Sequence, residues 1–109
     1  MGESYLPHPA GCPRIAFCGC GAAVEIFGRP IRELWLVAKW WIFPLATPAP
    51  GMVAIRHDGH HIFVIREVHG DGTVLAYDAN SGGHRTRIHT VSLRGYSVRN
   101  PHGSRYSSL

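Results

Sequence analysis

The chain is poor in charged residues and has no long apolar run. Only 17% of its 109 residues are charged whereas 45% are hydrophobic, a balance typical of a folded globular domain. The longest apolar stretch, 40–46, is interrupted by Pro44 and falls far short of the roughly 20 residues that a membrane-spanning helix needs. The sequence therefore predicts one small domain with no membrane span.

Lysine is almost absent, and the basic residues are not clustered. Ten of the eleven Lys and Arg residues are arginine, and they are scattered along a chain with a net charge of +4. Proteins that bind nucleic acids typically concentrate basic residues in a patch or run. The sequence therefore predicts no nucleic-acid partner, and its weak positive charge favours at most an acidic surface or polymer.

Hydrophobic periodicity changes from helical to alternating near Gly51. Residues 18–27 and 31–41 have helical spacing, and Gly28 is a typical helix end. Alternation then predicts five strands, at 52–56, 61–68, 73–78, 86–89 and 95–99. The expected fold is α+β, with two N-terminal helices packed on a five-stranded antiparallel sheet.

Domain boundaries follow from the same pattern. Residues 1–14 are rich in proline and glycine and are expected to form an extended lead. Residues 15–100 are expected to form the domain, and 101–109 a polar C-terminal tail.

Three cysteines are an odd number. If the protein is exported, Cys12 and Cys20 are expected to lie close enough for a disulfide, which leaves Cys18 as the free thiol; in a reducing compartment all three would be thiols. An export signal is expected to have been removed, so that the predicted location is the periplasm or the exterior.

Cys18 is predicted to open a helix, where unpaired N–H groups and the helix dipole favour a thiolate. Acyl transfer by a thiolate also needs an imidazole base and a polar group that orients it. His61 opens one predicted strand, while Asp78 and Asn80 end the next, and the turn at 70–72 makes these strands antiparallel neighbours. His61 and the Asp78/Asn80 pair are therefore expected at one sheet edge, although the hairpin does not itself place Cys18 there.

Four short motifs occur in a characteristic order. They are Phe17-Cys18-Gly19, Pro50-Gly51-Met52-Val53, His61-Ile62-Phe63-Val64-Ile65 and Tyr77-Asp78-Ala79-Asn80. In this order the chain resembles the CHAP branch of the NlpC/P60 papain-like cell-wall peptidases over roughly 16–98. It differs from the family pattern in having Met52 where an acid is usual and Asp78 where glutamate is commoner.

The resemblance implies a papain-like fold and a cysteine hydrolase that cleaves amide bonds in bacterial peptidoglycan peptides. Cys18 would be the nucleophile and His61 the base, with Asp78 or Asn80 orienting the imidazole; Asp78 is preferred, with Asn80 as a second polar contact. Backbone N–H groups at the helix start would bind the oxyanion. No metal and no organic cofactor is implied.

Three alternatives remain open at this point. Cys20 lies two residues from Cys18 and is a second candidate nucleophile. A non-catalytic cell-wall or partner-binding module is another possibility. A metal-binding or redox protein would use the three cysteines with the histidines at 57, 60 and 61. Each of the other histidines, including His89, is expected at the surface or in a loop.

Overall fold

A computed structural model describes residues 4–103, which form one six-stranded antiparallel sheet and one α-helix, α1 (Cys18–Phe27). The strands are β1 (Ser4–Leu6), β2 (Val53–Arg56), β3 (Ile62–Val68), β4 (Thr73–Ser81), β5 (Arg85–Ser92) and β6 (Tyr96–Arg99). Their spatial order is β1-β5-β4-β3-β2-β6. No helix within 4–103 is long and apolar enough to cross a membrane.

The predicted fold of two helices on a five-stranded, papain-like sheet is wrong, because the protein is a small β-rich domain. Its sheet has a sixth strand, and 31–41 is not an α-helix. That segment forms two 3₁₀-helices, Arg32–Leu34 and Val37–Ile42, with extended backbone at Leu36 between them. The buried Trp40 indole N–H donates to the Leu34 carbonyl at 2.8 Å. This bond uses a carbonyl that an α-helix would pair with a backbone N–H, so side-chain burial overrides the helical spacing.

The sixth strand comes from the predicted lead. β1 pairs with β5, with Ser4 opposite Ile88 and Leu6 opposite Thr86. A three-residue edge strand is too short to show alternation, so only its partner identifies it. Residues 1–3 of the lead and 104–109 of the predicted tail lie outside the described part of the chain.

The core lies on both faces of the sheet. All of 62–65 in β3 is buried, and its side chains alternate between two clusters. One cluster includes α1 and the 3₁₀-helices, with Phe17 and Trp40 among its largest members. Because this cluster packs α1 against β3 and β4, the start of the helix lies near the edge where β4 ends.

Candidate active site

The N-terminus of α1 presents Cys18. The helix begins directly after the fully buried Phe17, whose carbonyl accepts the Gly21 N–H at 2.8 Å, and no side chain caps this end. Ala16 just before it has a left-handed backbone, with φ of 50°. The first turn of α1 has unpaired backbone N–H groups, and Cys18 in this turn lines a cleft.

Two glycines in the Cys-Gly-Cys-Gly motif allow close packing around Cys18. A Cβ atom at Gly19 would lie 2.3 Å from the Trp35 carbonyl oxygen, and one at Gly21 would lie 2.3 Å from the Ala79 Cβ. A side chain does not fit at either position, so the two glycines allow α1 to pack closely against β4 and against residues 32–42, here called the 3₁₀ segment. The contact with Ala79 places Cys18 beside the end of β4, which the hairpin argument alone did not do.

His61 and Asp78 meet as the hairpin predicted. The His61 Nε2 atom lies 2.6 Å from Asp78 Oδ1, and both side chains are largely buried. His61 also interacts electrostatically with Cys18, and this interaction helps to raise the pKa of His61. Since Nε2 is used by Asp78, Nδ1 is the ring nitrogen that remains for the thiol. The structure thus brings together three of the four predicted site residues, in the order thiol, imidazole, carboxylate.

The electrostatic environment of the site favours the charged forms of His61 and Asp78. Burial lowers the pKa of His61, but the hydrogen bonds and charges of Asp78 and Cys18 outweigh it and raise this pKa to about 9. Burial raises the pKa of Asp78, yet the hydrogen bonds and charges of His61, and then of His89, hold it below its usual value. At neutral pH the site therefore contains an imidazolium at His61 and a carboxylate at Asp78.

Asn80, the fourth predicted residue, does not hold the imidazole. Its backbone is left-handed, with φ of 57°, and the pairing of β4 with β5 shifts between Asp78 and Ser81. The Asn80 side-chain oxygen lies 2.9 Å from His84 Nδ1. The irregularity in β4 between Asp78 and Ser81 brings the Asn80 side chain to His84, while Asn80 also lines the cleft at Cys18.

His89 is the residue that the sequence argument missed. Its Nε2 atom lies 2.7 Å from Asp78 Oδ2, and its side chain is largely buried, not at the surface as expected. In the β4–β5 register Asp78 is opposite Arg87, and His89 is two residues further along, on the same face. Alternate residues of a strand face the same side of a sheet, so the predicted strand 86–89 could have indicated that His89 shares a face with Arg87, the residue opposite Asp78.

Comparison of the chain with protein-family models, with curated proteins and with solved structures found no match.

A cleft of about 330 Å³ opens at Cys18. One wall is apolar and comes from the 3₁₀ segment, and the lining as a whole consists of Ala16, Cys18, Trp35, Leu36, Val37, Ala38, Gly59, His60 and Asn80. His60 lines this cleft from the turn at 57–60. The cleft lining contains no Asp, Glu, Lys or Arg among the described residues, so it fits an uncharged group.

The other two cysteines form a disulfide. Cys12 and Cys20 are bonded with their Cα atoms 5.7 Å apart, as predicted for an exported protein, and Cys18 is the free thiol. Cys20 in this state is neither a nucleophile nor a thiolate ligand. Within 4–103 no group of three His, Cys, Asp or Glu side chains is arranged to hold a metal ion.

Thiol counting tests the disulfide. Denatured, unreduced protein from an oxidising host is expected to show one free thiol per chain, at Cys18 by mass spectrometry. Reduction is expected to lower the free energy of unfolding by roughly 2–3 kcal/mol, because the bond closes a loop of about nine residues. Three free thiols per chain would rule the bridge out.

Proposed function

We propose that this protein is a cysteine hydrolase that cleaves amide bonds through Cys18, His61 and Asp78. One observation carries the proposal: the free thiol of Cys18 interacts electrostatically with the imidazole of His61, whose Nε2 atom is 2.6 Å from a buried carboxylate. A nucleophile, its base and an orienting group in this order are what acyl transfer by cysteine requires.

The steps follow from the positions of these groups. The Cys18 thiolate attacks the amide carbonyl, and the first-turn N–H groups of α1 stabilise the oxyanion. The His61 imidazolium gives its proton to the amine as the C–N bond breaks, which leaves a thioester on Cys18. Neutral His61 then takes a proton from water as the water attacks the thioester, and the acid product leaves with Cys18 restored.

The proposed substrate is a bacterial peptidoglycan peptide. The order of the Cys, His and Asp motifs supports this through their resemblance to cell-wall peptidases, although the fold itself is not the one expected from them. The disulfide supports a location outside the cytoplasm, in the periplasm or the exterior, where such peptides occur. The apolar cleft at Cys18 further favours an uncharged residue, such as alanine, on the acyl side of the scissile bond.

Purified sacculi provide the direct test. Wild-type protein is expected to release new amino groups, and mass spectrometry of the digest identifies the amide that is cut. One equivalent of iodoacetamide at neutral pH is expected to label Cys18 quickly and to stop the release. Slow labelling together with no release would contradict the proposal and favour the non-catalytic binding module.

The apolar cleft wall gives a prediction about specificity. Leu36 lines the cleft yet is 67% exposed, so it is available to contact a bound substrate. Leu36→Glu is expected to lower kcat/KM by roughly 10-fold or more for peptides with an alanyl acyl residue, because a charge replaces an apolar contact. The rate of Cys18 alkylation should stay unchanged.

Leu45→Glu is the matched control. Leu45 is 72% exposed but does not line the cleft, so this variant should keep the wild-type kcat/KM. Equal losses in the two variants, or none in Leu36→Glu, would remove Leu36 from the substrate site.

A further inference from the structure

Two imidazoles share the buried carboxylate of Asp78. His61 Nε2 is 2.6 Å from Oδ1, and His89 Nε2 is 2.7 Å from Oδ2. Asp78 is only 4% exposed, so these contacts replace most of the water that a surface carboxylate would bind. The acyl-transfer steps use His61 and leave His89 without a role.

We propose that His89 is a positioning residue, which fixes the Asp78 carboxylate so that Asp78 holds His61 in the orientation and tautomer needed at Cys18. This role presupposes the cysteine chemistry proposed above.

Hydrogen-bond capacity explains why the second imidazole matters. An ionised carboxylate only accepts, so His61 and His89 both donate from Nε2. A carboxylate held at one oxygen is free to rotate about its Cβ–Cγ bond, whereas one held at both oxygens is not. With Oδ1 fixed, the Nε2–H of His61 stays on Asp78, and Nδ1 of the same ring remains available for the proposed proton transfers at Cys18. Loss of the His89 donor would leave the buried Oδ2 atom of Asp78 without this partner, which would favour the protonated form of Asp78. A protonated Asp78 would hold His61 less well.

Two arginines and one tyrosine lie near this carboxylate, and both arginines are held by partners of their own. Arg56, on β2, donates from Nε to both carboxylate oxygens of Asp58, each at 3.0 Å. Arg87, on β5, donates to Ser81 Oγ from Nε and Nη2, at 3.1 and 2.7 Å. Tyr96, on β6, lines the same cavity as His61 and His89. The hydrogen bond to Asp78 Oδ2 comes from His89, so a change at His89 acts directly on the carboxylate.

Two substitutions separate the hydrogen bond from the bulk of the ring. His89→Gln keeps a side-chain N–H donor at a similar reach to Nε2, whereas His89→Leu keeps an apolar side chain but no donor. The experiment measures the rate of Cys18 alkylation by iodoacetamide against pH, and kcat and KM on sacculus-derived peptides, for both variants and the wild type.

The Leu variant is expected to lose roughly tenfold to a hundredfold in kcat with little change in KM, because the loss lies in orientation and not in binding. Its alkylation profile should have the acidic limb at higher pH. The reason is that Asp78 then takes a proton at higher pH, which weakens the imidazolium that stabilises the thiolate. The Gln variant should keep kcat within a few-fold of the wild type and an unmoved acidic limb.

Unchanged kcat and an unmoved limb in His89→Leu would overturn the positioning role. Equal losses in His89→Gln and His89→Leu, at equal melting temperatures, would also overturn it, because the donor would then be irrelevant. If His89→Leu does not fold, the Gln variant still decides: wild-type behaviour supports the role, and a large loss in a folded protein contradicts it. The alkylation profile needs no amide substrate, so it tests His89 even if the wild-type protein cleaves no sacculi.

Discussion

Cys18→Ala is expected to abolish hydrolysis of purified sacculi, because it removes the proposed nucleophile and the other two cysteines are in a disulfide. Cys18 is 6% exposed and packs in the cluster that contains α1, so the substitution also removes some buried apolar surface. Its cost is expected to be about 1 kcal/mol, a fall in melting temperature of roughly 4–8 °C. Release of amino groups and thermal unfolding, measured on the same preparation, check both parts.

The double variant Cys12→Ala/Cys20→Ala is the control with the opposite pattern. It loses the disulfide and therefore roughly 2–3 kcal/mol of stability, yet it should keep most of the activity at temperatures well below its melting point. Activity in Cys18→Ala, or none in the folded double variant, would contradict the assignment of Cys18.

Asp78→Asn is expected to lower kcat by roughly 10²–10³-fold, since the proton transfers of His61 depend on its orientation and charge. The carboxylate also helps to raise the pKa of His61 to about 9. Asparagine cannot stabilise an imidazolium in this way, so the pKa of His61 falls and the protonated form is lost at lower pH. The basic limb of the pH–rate profile, near pH 9 in the wild type, should therefore move downward.

Asn80→Ala is the comparison for Asp78→Asn. The Asn80 side chain bonds His84 and not His61, so its loss should change kcat by no more than a few-fold and leave the pH limb in place. Small, equal losses in the two variants with an unmoved profile would mean that the site is a Cys–His dyad without a third member.

The sequence predicted the local elements around this site correctly. The helix at 18–27 is confirmed, and strands occur at all five predicted positions. The hairpin formed by β3 and β4 was enough to predict that His61 lies beside the end of β4, and His61 Nε2 is 2.6 Å from Asp78 Oδ1. The prediction succeeds because antiparallel pairing across a short turn is a local property of consecutive residues.

Predictions failed where a residue's conformation depends on distant partners. Helical spacing at 31–41 indicated an α-helix, but the Trp40 side chain takes the Leu34 carbonyl and the backbone forms 3₁₀-helices. Nothing in the local pattern of 4–6 indicated a strand, because that segment is defined by its pairing with β5.

The amino-acid sequence by itself determined the helix that begins at Cys18, the hairpin that brings His61 to Asp78, and a cysteine pattern compatible with one disulfide and one thiol. These follow from periodicity, turn residues and cysteine count, which are properties of short segments. Only the tertiary structure decided that Cys18 lies beside the end of β4, since this depends on the approach of Gly21 to Ala79 across the helix–sheet contact. It also decided that Asp78 and not Asn80 holds the imidazole, and that His89 binds the other carboxylate oxygen. These two contacts depend on the register of β4 with β5 and on the irregularity between Asp78 and Ser81. Register and irregularity arise from the pairing of strands, so the sequence of a single strand does not reveal them.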